Sequence, residues 1–204
     1  MSEHGAPVRS AIALAGGRSS RMGRAKATLP RGGLTLLEHI VAELGRYFGD
    51  LVIVAAPESV QAALAVPAAA RIIRDDRAYE GPVDALARGL DAARADAAFA
   101  CSCDLPMLDA RVAAALLAML SGYDAVIPSV GGRLQPLHAV YRREVAGALR
   151  AMRARGENRL SEIAGEVRTR IVDEAELRAL DPELRSFMNV NTPADYARAI
   201  RLIR

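Results

Sequence analysis

Apolar and polar positions along this chain repeat with two periods. Short apolar runs at residues 11–14, 51–55, 71–74, 97–103 and 125–128 are bounded by turn residues and read as buried strands. Between the first two, Leu36, Leu37, Ile40, Val41, Leu44 and Phe48 recur at helical spacing, and Thr35 with Glu38 three residues on supplies a capping-box start. Further helices are predicted over 57–64, after Gly81-Pro82, and over 109–121. Strands alternating with helices predict an α/β protein: a three-layer α/β/α sandwich on a doubly wound, mostly parallel sheet, with ligands at the carboxyl ends of the strands.

The second half is less regular. Residues 137–141 read as a strand, 144–155 as an arginine-rich helix with a solvated face, and 167–172 as another strand. Thr192 and Pro193 suit the cap and first position of a last helix, with Asp195 in its first turn. No internal repeat or low-complexity linker interrupts the 204 residues, so the expectation is one domain over 1–204 with residues 1–8 loose.

Composition narrows the partners. The formal charge is only +3, aromatics make up 4 % and there is no Trp, which does not supply the basic patch with stacking rings that nucleic-acid binding needs. A compact anionic substrate fits better. Cys101 and Cys103 lie two apart on one strand, poorly placed for a bridge, and no further Cys or clustered His completes a zinc site, so both read as reduced core thiols. A charged-then-apolar leader and a run of about 18 apolar residues are both missing, so no membrane partner and a cytoplasmic location are expected.

Chemistry concentrates after the first strand. The stretch Leu14-Ala15-Gly16-Gly17-Arg18-Ser19-Ser20-Arg21-Met22-Gly23-Arg24-Ala25-Lys26 combines three glycines and several cations with no carboxylate. Glycines let backbone N–H groups converge on an anion, while Arg21 and Lys26 supply countercharge for a polyphosphate. It is not a Walker loop, because Arg24 and Ala25 separate Gly23 from Lys26, and no G-x-G-x-x-G is present.

The string L-x-G-G-x-S-x-R-M-G-x-x-K resembles the signature of nucleotidyltransferases that load a nucleotide onto a small phosphorylated acceptor. Within them, the chain resembles the molybdenum cofactor guanylyltransferases, since Gly81-Pro82, Cys103-Asp104-Leu105-Pro106, Arg133-Leu134-Gln135-Pro136-Leu137 and Asn189-Val190-Asn191-Thr192-Pro193 follow in that family's order. The resemblance implies a Rossmann-like fold of the nucleotide-diphospho-sugar transferase type. It also implies Mg²⁺-dependent transfer of GMP from GTP to the phosphate of a molybdenum-loaded pterin, with pyrophosphate leaving and the product passing to a molybdoenzyme partner.

That reaction brings two anions together, so it calls for cations, backbone amides and Mg²⁺ more than for a covalent nucleophile. Arg21 and Lys26 are expected on the β- and γ-phosphates, and the amides of Ala15, Gly16 and Gly17, with Leu14, around the nucleotide. The competing reading is a plain strand-to-helix turn with solvated arginines. Asp104 ends an apolar run, so its carboxylate should emerge at the carboxyl edge of the sheet and hold the metal together with substrate phosphates. Its rival role as a helix cap is better filled by Asp109. Arg21, Lys26 and Asp104 form the expected catalytic set.

Gly81-Pro82 resembles the family's G-P-L-A-G turn against base and ribose, but here the run is Gly81-Pro82-Val83-Asp84-Ala85. Asp84 either reads donors on the base or acceptor, or sits in the first helical turn and offsets the positive dipole end. Asp75, counted back from Gly81, matches the family's nucleotide-binding aspartate. A carboxylate there can accept from guanine's two adjacent N–H donors, which cytosine does not present, although Asp76 is a rival and both suit a surface turn. The family's asparagine after the second strand is replaced by Ala55-Ala56-Pro57 and is not carried over.

In the family the neighbourhoods of Arg133, Gln135 and Pro136, and of Asn189 and Asn191, face the acceptor. Arginine can clamp its phosphate, and asparagines can match the mixed donors and acceptors of a pterin. The alternatives are a stabilised hairpin for Arg133 and a turn before the last helix for Asn191, whose amide oxygen also suits a metal. His138 reads as structural, Ser19 and Ser20 lack a base at recognisable spacing, and His4 and His39 receive no role.

Three other functions compete: a cytidylyltransferase for the same pterin, a transferase for another phosphorylated metabolite, and, from a different class, a non-catalytic nucleotide-binding chaperone for a molybdoenzyme. Intact Lys26 and Asp104 argue against the last.

Overall fold

The computed structural model describes residues 8–16, 26–56, 70–74 and 81–203. The helix expected over 57–64 and the segment 1–7 lie outside the described residues.

The main sheet is built from β1 (Ser10–Leu14), β4 (Asp50–Ala55), β5 (Ala70–Arg74), β6 (Ala97–Ser102), β7 (Ala125–Val130), β8 (Arg133–Leu134), β9 (His138–Arg142) and β10 (Thr169–Val172). Their order is β10-β7-β9-β6-β1-β4-β5, with β8 paired to β7. A separate two-stranded ribbon joins β2 (Pro30–Arg31) to β3 (Leu34–Thr35). The helices are α1 (Leu36–Leu44), α2 (Pro82–Ala92), α3 (Ala110–Ala118), α4 (Val145–Ala154), the short α5 (Ile163–Glu166), α6 (Glu174–Leu180) and α7 (Pro193–Ile203).

Pairing is parallel for β6-β1-β4-β5 and for β10-β7. Strand β9 enters between β6 and β7 and runs against both, so the sheet is mixed. The turn before β9 explains this insertion. At the end of β7, Gly131 and Gly132 take φ of 58° and 72°, the left-handed pair a two-residue hairpin requires, and Val130 pairs across it with Arg133. The amide of Gln135 then donates to the Pro128 carbonyl at 2.8 Å, and the chain re-enters the sheet reversed.

Alternation along the strands divides the core between two faces. Ala11, Ala13, Leu51, Ile53, Phe99 and Cys101 pack toward α1 and α3, against Leu37, Ile40, Leu44, Val112 and Leu116. Ile12, Leu14, Val52, Val54, Ala98 and Ala100 face α2 and α4, against Leu86, Leu90, Leu149 and Met152. Burying a Leu or Phe from water contributes about 1.5–3 kcal/mol each, so these layers dominate stability. Helix α2 lies so close to β1 that a Cβ added at Gly89 would come within 2.6 Å of Ile12 Cγ2.

Local signals place the helices as expected. Thr35 and Glu38 close both halves of the capping box of α1, Asp109 Oδ1 accepts the Arg111 amide at the start of α3, and Thr192 with Asp195 box the start of α7. At the opposite edge of the sheet from the strands' carboxyl ends, buried Asp50 accepts from Ser10 Oγ at 2.6 Å, Arg71 Nη2 at 2.7 Å and the Arg94 amide at 2.9 Å. Burial works against its charge, but these donors outweigh that and hold the carboxyl below its ordinary value. Among the described residues, no helix is long and apolar enough to cross a membrane.

Candidate functional site

Parallel strands β1, β4, β5 and β6 end at one edge of the sheet, and that edge collects the reactive side chains. Where β1 ends, the Ala15 amide donates to the Val54 carbonyl at 2.8 Å and the Leu14 carbonyl accepts from the Cys103 amide at 3.1 Å, so the chain stays extended. Gly16 passes against the end of β4, where an added Cβ would stand 3.2 Å from the Ala56 nitrogen. Gly17 and Arg21, and with them Ser19, Ser20 and Gly23, lie outside the described residues.

The chain returns at Lys26, the first residue of a 3-10 turn over Lys26–Thr28 anchored by buried Ala27. Its ammonium donates to Asp104 Oδ2 at 2.8 Å and to Asn191 Oδ1 at 2.7 Å. Asp104 lies two residues past the end of β6, and its other oxygen accepts from Ser102 Oγ. Asn191 is carried in by the backbone: the Val190 amide donates to the Asp104 carbonyl at 2.9 Å, and Asp195 Oδ2 accepts from the Asn191 and Thr192 amides. Three segments remote in sequence thus meet on one cation.

Beside this cluster lies a cavity of about 240 Å³ lined by Asp104, Gln135, Pro136, Asn189 and Asn191 among others. Gln135, Pro136 and Leu137 reach it because they form the turn into β9, pinned by the Tyr141 hydroxyl donating to the Pro136 carbonyl at 2.7 Å. Arg133, expected alongside them, does not line it. That side chain sits on exposed β8, and its carbonyl accepts from Gln135 Nε2 at 3.1 Å. A larger hollow of about 600 Å³ lies beside α1 and α3, but its arginines 46 and 111 are paired with Glu43 and Asp109, so the reactive groups converge at the smaller one.

His138 backs the cavity as a core group. It is 2 % exposed, stands edge-on to Phe99 at 5.2 Å and tilts over Phe187 at 4.2 Å. Burial pushes its pKa down to about 3, with a small opposing pull from Asp109, so it stays neutral. Cys101 and Cys103 are free, buried thiols, and burial with the neighbouring Asp104 charge pushes Cys103 up to about 12. Neither is poised as a nucleophile.

Helix α2 runs back from the same edge to feed β6. Gly81, with φ of 104°, precedes it and Pro82 is its first residue, while Asp75 and Asp76 lie outside the described residues. Asp84 sits in the first turn of α2, the second of its two expected places, and its Oδ2 also accepts from Arg153 Nε of α4 at 2.5 Å. Sequence reading passed over Arg153, since two helices' facing charges carry no local signature. It also passed over Ser102, whose polar side chain at the end of an apolar strand was the available signal.

The donor chemistry at the cluster suits a hard cation. Asp104 Oδ2 and Asn191 Oδ1 already share one positive charge, and Mg²⁺ takes one or two protein oxygens with phosphates and waters completing its shell.

Known proteins resemble this one over most of its length. A family described as "MobA-like NTP transferase domain" matches residues 11–170. A protein of Mycobacterium avium named "Probable molybdenum cofactor guanylyltransferase" is 38 % identical over 200 residues, spanning 90 % of this chain and 91 % of that one. One of the same name from Carboxydothermus hydrogenoformans is 30 % identical over 189 residues, 93 % of each. The crystal structure of molybdopterin-guanine dinucleotide biosynthesis protein A from Archaeoglobus fulgidus superposes with a TM-score of 0.81 at 25 % identity, covering 95 % of this chain and 97 % of that one. Residues, fold and relatives agree, and the chain belongs to the MobA-like NTP transferase domain family, a nucleotidyltransferase.

Proposed function

We propose that this protein transfers GMP from GTP to the phosphate of a molybdenum-loaded pterin, giving the pterin guanine dinucleotide and pyrophosphate. The observation that carries this reading is the meeting of Lys26, Asp104 and Asn191 at the carboxyl edge of the sheet, directly after the glycine-rich stretch. The names of the relatives supply the substrates.

In this mechanism the acceptor's phosphate oxygen attacks the α-phosphorus of GTP, the α–β bridging bond breaks, and the electron pair leaves on pyrophosphate. Negative charge accumulates on that leaving group, and a nearby cation lowers the barrier most. Lys26 and Arg21 supply it, with Lys26 exchanging its contact with Asp104 for the polyphosphate. The amides of Gly16 and Gly17 hold the nucleotide in line, that of Ala15 being committed to the Val54 carbonyl, and Gly81-Pro82 lies against it with Asp75 accepting from guanine. Gln135, Pro136, Asn189 and Asn191 orient the pterin in the adjoining cavity. Asp104, with Asn191 as a second oxygen donor, would hold a Mg²⁺ ion, which would supply charge neutralisation on the phosphates. No side chain need form a covalent intermediate, in keeping with the buried, protonated cysteines.

Donor choice is the direct test. With the molybdenum-pterin acceptor and Mg²⁺ present, pyrophosphate release is followed in turn with GTP, CTP and ATP. GTP is expected to give the highest kcat/KM; a preference for CTP would overturn the guanylyl assignment, and release that needs no pterin would overturn the acceptor.

A further inference from the structure

Gly81 caps α2 without any side-chain hydrogen bond, and Pro82 brings no N–H of its own. The first turn of the helix therefore has no cap of the kind that fixes α1 and α3. Its orientation is set from outside. Asp84, in that turn, accepts from Arg153 Nε across 69 residues of sequence, and the two side chains are only 23 % and 38 % exposed. Arg153 is itself steadied, because Nη1 donates to Asn158 Oδ1 and the Asn158 amide group donates to the Gly156 carbonyl at 3.2 Å. The clasp runs from the end of α4 to the start of α2, while the apolar faces of the same helices share one core through Leu86, Leu90, Leu149 and Met152.

We propose that Arg153, acting through Asp84, positions the Gly81-Pro82 turn and thereby sets nucleotide affinity, with no part in the transfer step. This rests on the reading above that the turn lies against the nucleotide. Neither residue touches the Lys26, Asp104 and Asn191 cluster through any hydrogen bond the structure gives, so both are positioning residues. A second ion pair joins the same helices far from the turn: Arg150 Nη1 donates to Asp91 Oδ2 at 2.6 Å, with both partners more than half exposed. It holds α2 to α4 without touching the first turn, which makes it the internal control.

The test compares GTP and inorganic tripolyphosphate, each with Mg²⁺, by isothermal titration, together with steady-state kinetics and melting temperature. Arg153→Ala and Asp84→Ala should each weaken GTP about tenfold, leave tripolyphosphate binding and kcat at saturating GTP near wild type, and combine to no more than either alone. Arg153→Lys should regain part of the affinity, and Arg150→Ala should leave it unchanged. Equal GTP affinity in wild type and Arg153→Ala overturns the proposal, as does the same loss in Arg150→Ala, which would mark a general loosening of the helix pair. If wild type binds tripolyphosphate but not GTP, the nucleotide reading itself fails and this inference falls with it.

Discussion

Lys26 Nζ stands 2.8 Å from Asp104 Oδ2 although 78 residues separate them, and both side chains are largely screened from solvent at 20 % and 14 % exposure. The contact brings the end of the glycine-rich stretch to the end of β6. It also places an ammonium between two hard oxygens, so one cation can be exchanged there for another.

Removing either partner should therefore affect turnover far more than folding. Asp104→Asn keeps the shape and a carbonyl oxygen but loses the charge, and Lys26→Met keeps the length and loses the cation. Each is expected to lower kcat by about 10²–10³ while the fold survives, since the partner left behind keeps a polar neighbour, Asn191 for Lys26 and Ser102 for Asp104, and losing a charged hydrogen bond costs about 1.5–3 kcal/mol of stability. Steady-state kinetics beside thermal denaturation checks this. A large loss of stability with kcat intact would make the pair a structural strut.

Acid should destabilise the protein through buried His138 and half-buried His39. His138 is held neutral down to about 3 and His39 to about 4, chiefly by burial, whereas an unfolded histidine takes up a proton near 6.5. The unfolded state then binds more protons throughout that interval, so stability is complete above pH ~6.5 and falls steadily as pH drops toward 3. Asp50, whose carboxyl is held low by Ser10, Arg94 and Arg71, adds a further loss below pH ~4. Denaturant titrations at pH 7.5, 5.5 and 4.5 should show a graded decline, and His138→Gln should flatten it. A flat profile from 7.5 to 4.5 would contradict the burial of His138 and the half-burial of His39.

Gly89 offers a packing test in which two effects oppose each other. Alanine at this site gains about 1 kcal/mol of helix propensity, but its methyl would meet Ile12 Cγ2 at 2.6 Å and Val54 Cγ2 at 3.2 Å. Both neighbours are branched side chains in a filled layer, and overpacking of this kind costs about 1–3 kcal/mol. Gly89→Ala is expected to be destabilising by about 1 kcal/mol overall, visible as a lower denaturation midpoint. A higher midpoint would mean that α2 sits further from β1.

How far the sequence discloses this architecture depends on the range of each signal. Caps are local, so Thr35 with Glu38, Asp109, and Thr192 with Asp195 could be read directly. Strand positions followed from apolar runs, but periodicity carries no direction, and the reversal of β9 depends on the Gly131-Gly132 hairpin and the long turn after it. At the candidate site, motif order brings Lys26, Asp104 and Asn191 to mind together because each follows a recognisable strand or precedes a capped helix. The Asp84 and Arg153 pairing was invisible, since nothing near either residue names its partner. Arg133 shows the converse: a cation beside a promising motif, carried out of the cavity by the outward pairing of a two-residue strand.

The proposed transfer turns on attack at the α-phosphorus of GTP. In a reaction of the purified protein with molybdenum-pterin, Mg²⁺ and GTP labelled at either the α- or the γ-phosphate, the α-label should appear in the pterin dinucleotide and the γ-label in pyrophosphate, both about 10²–10³-fold more slowly with Asp104→Asn. Recovery of the γ-label on the pterin, or undiminished transfer of the α-label by Asp104→Asn, would contradict it.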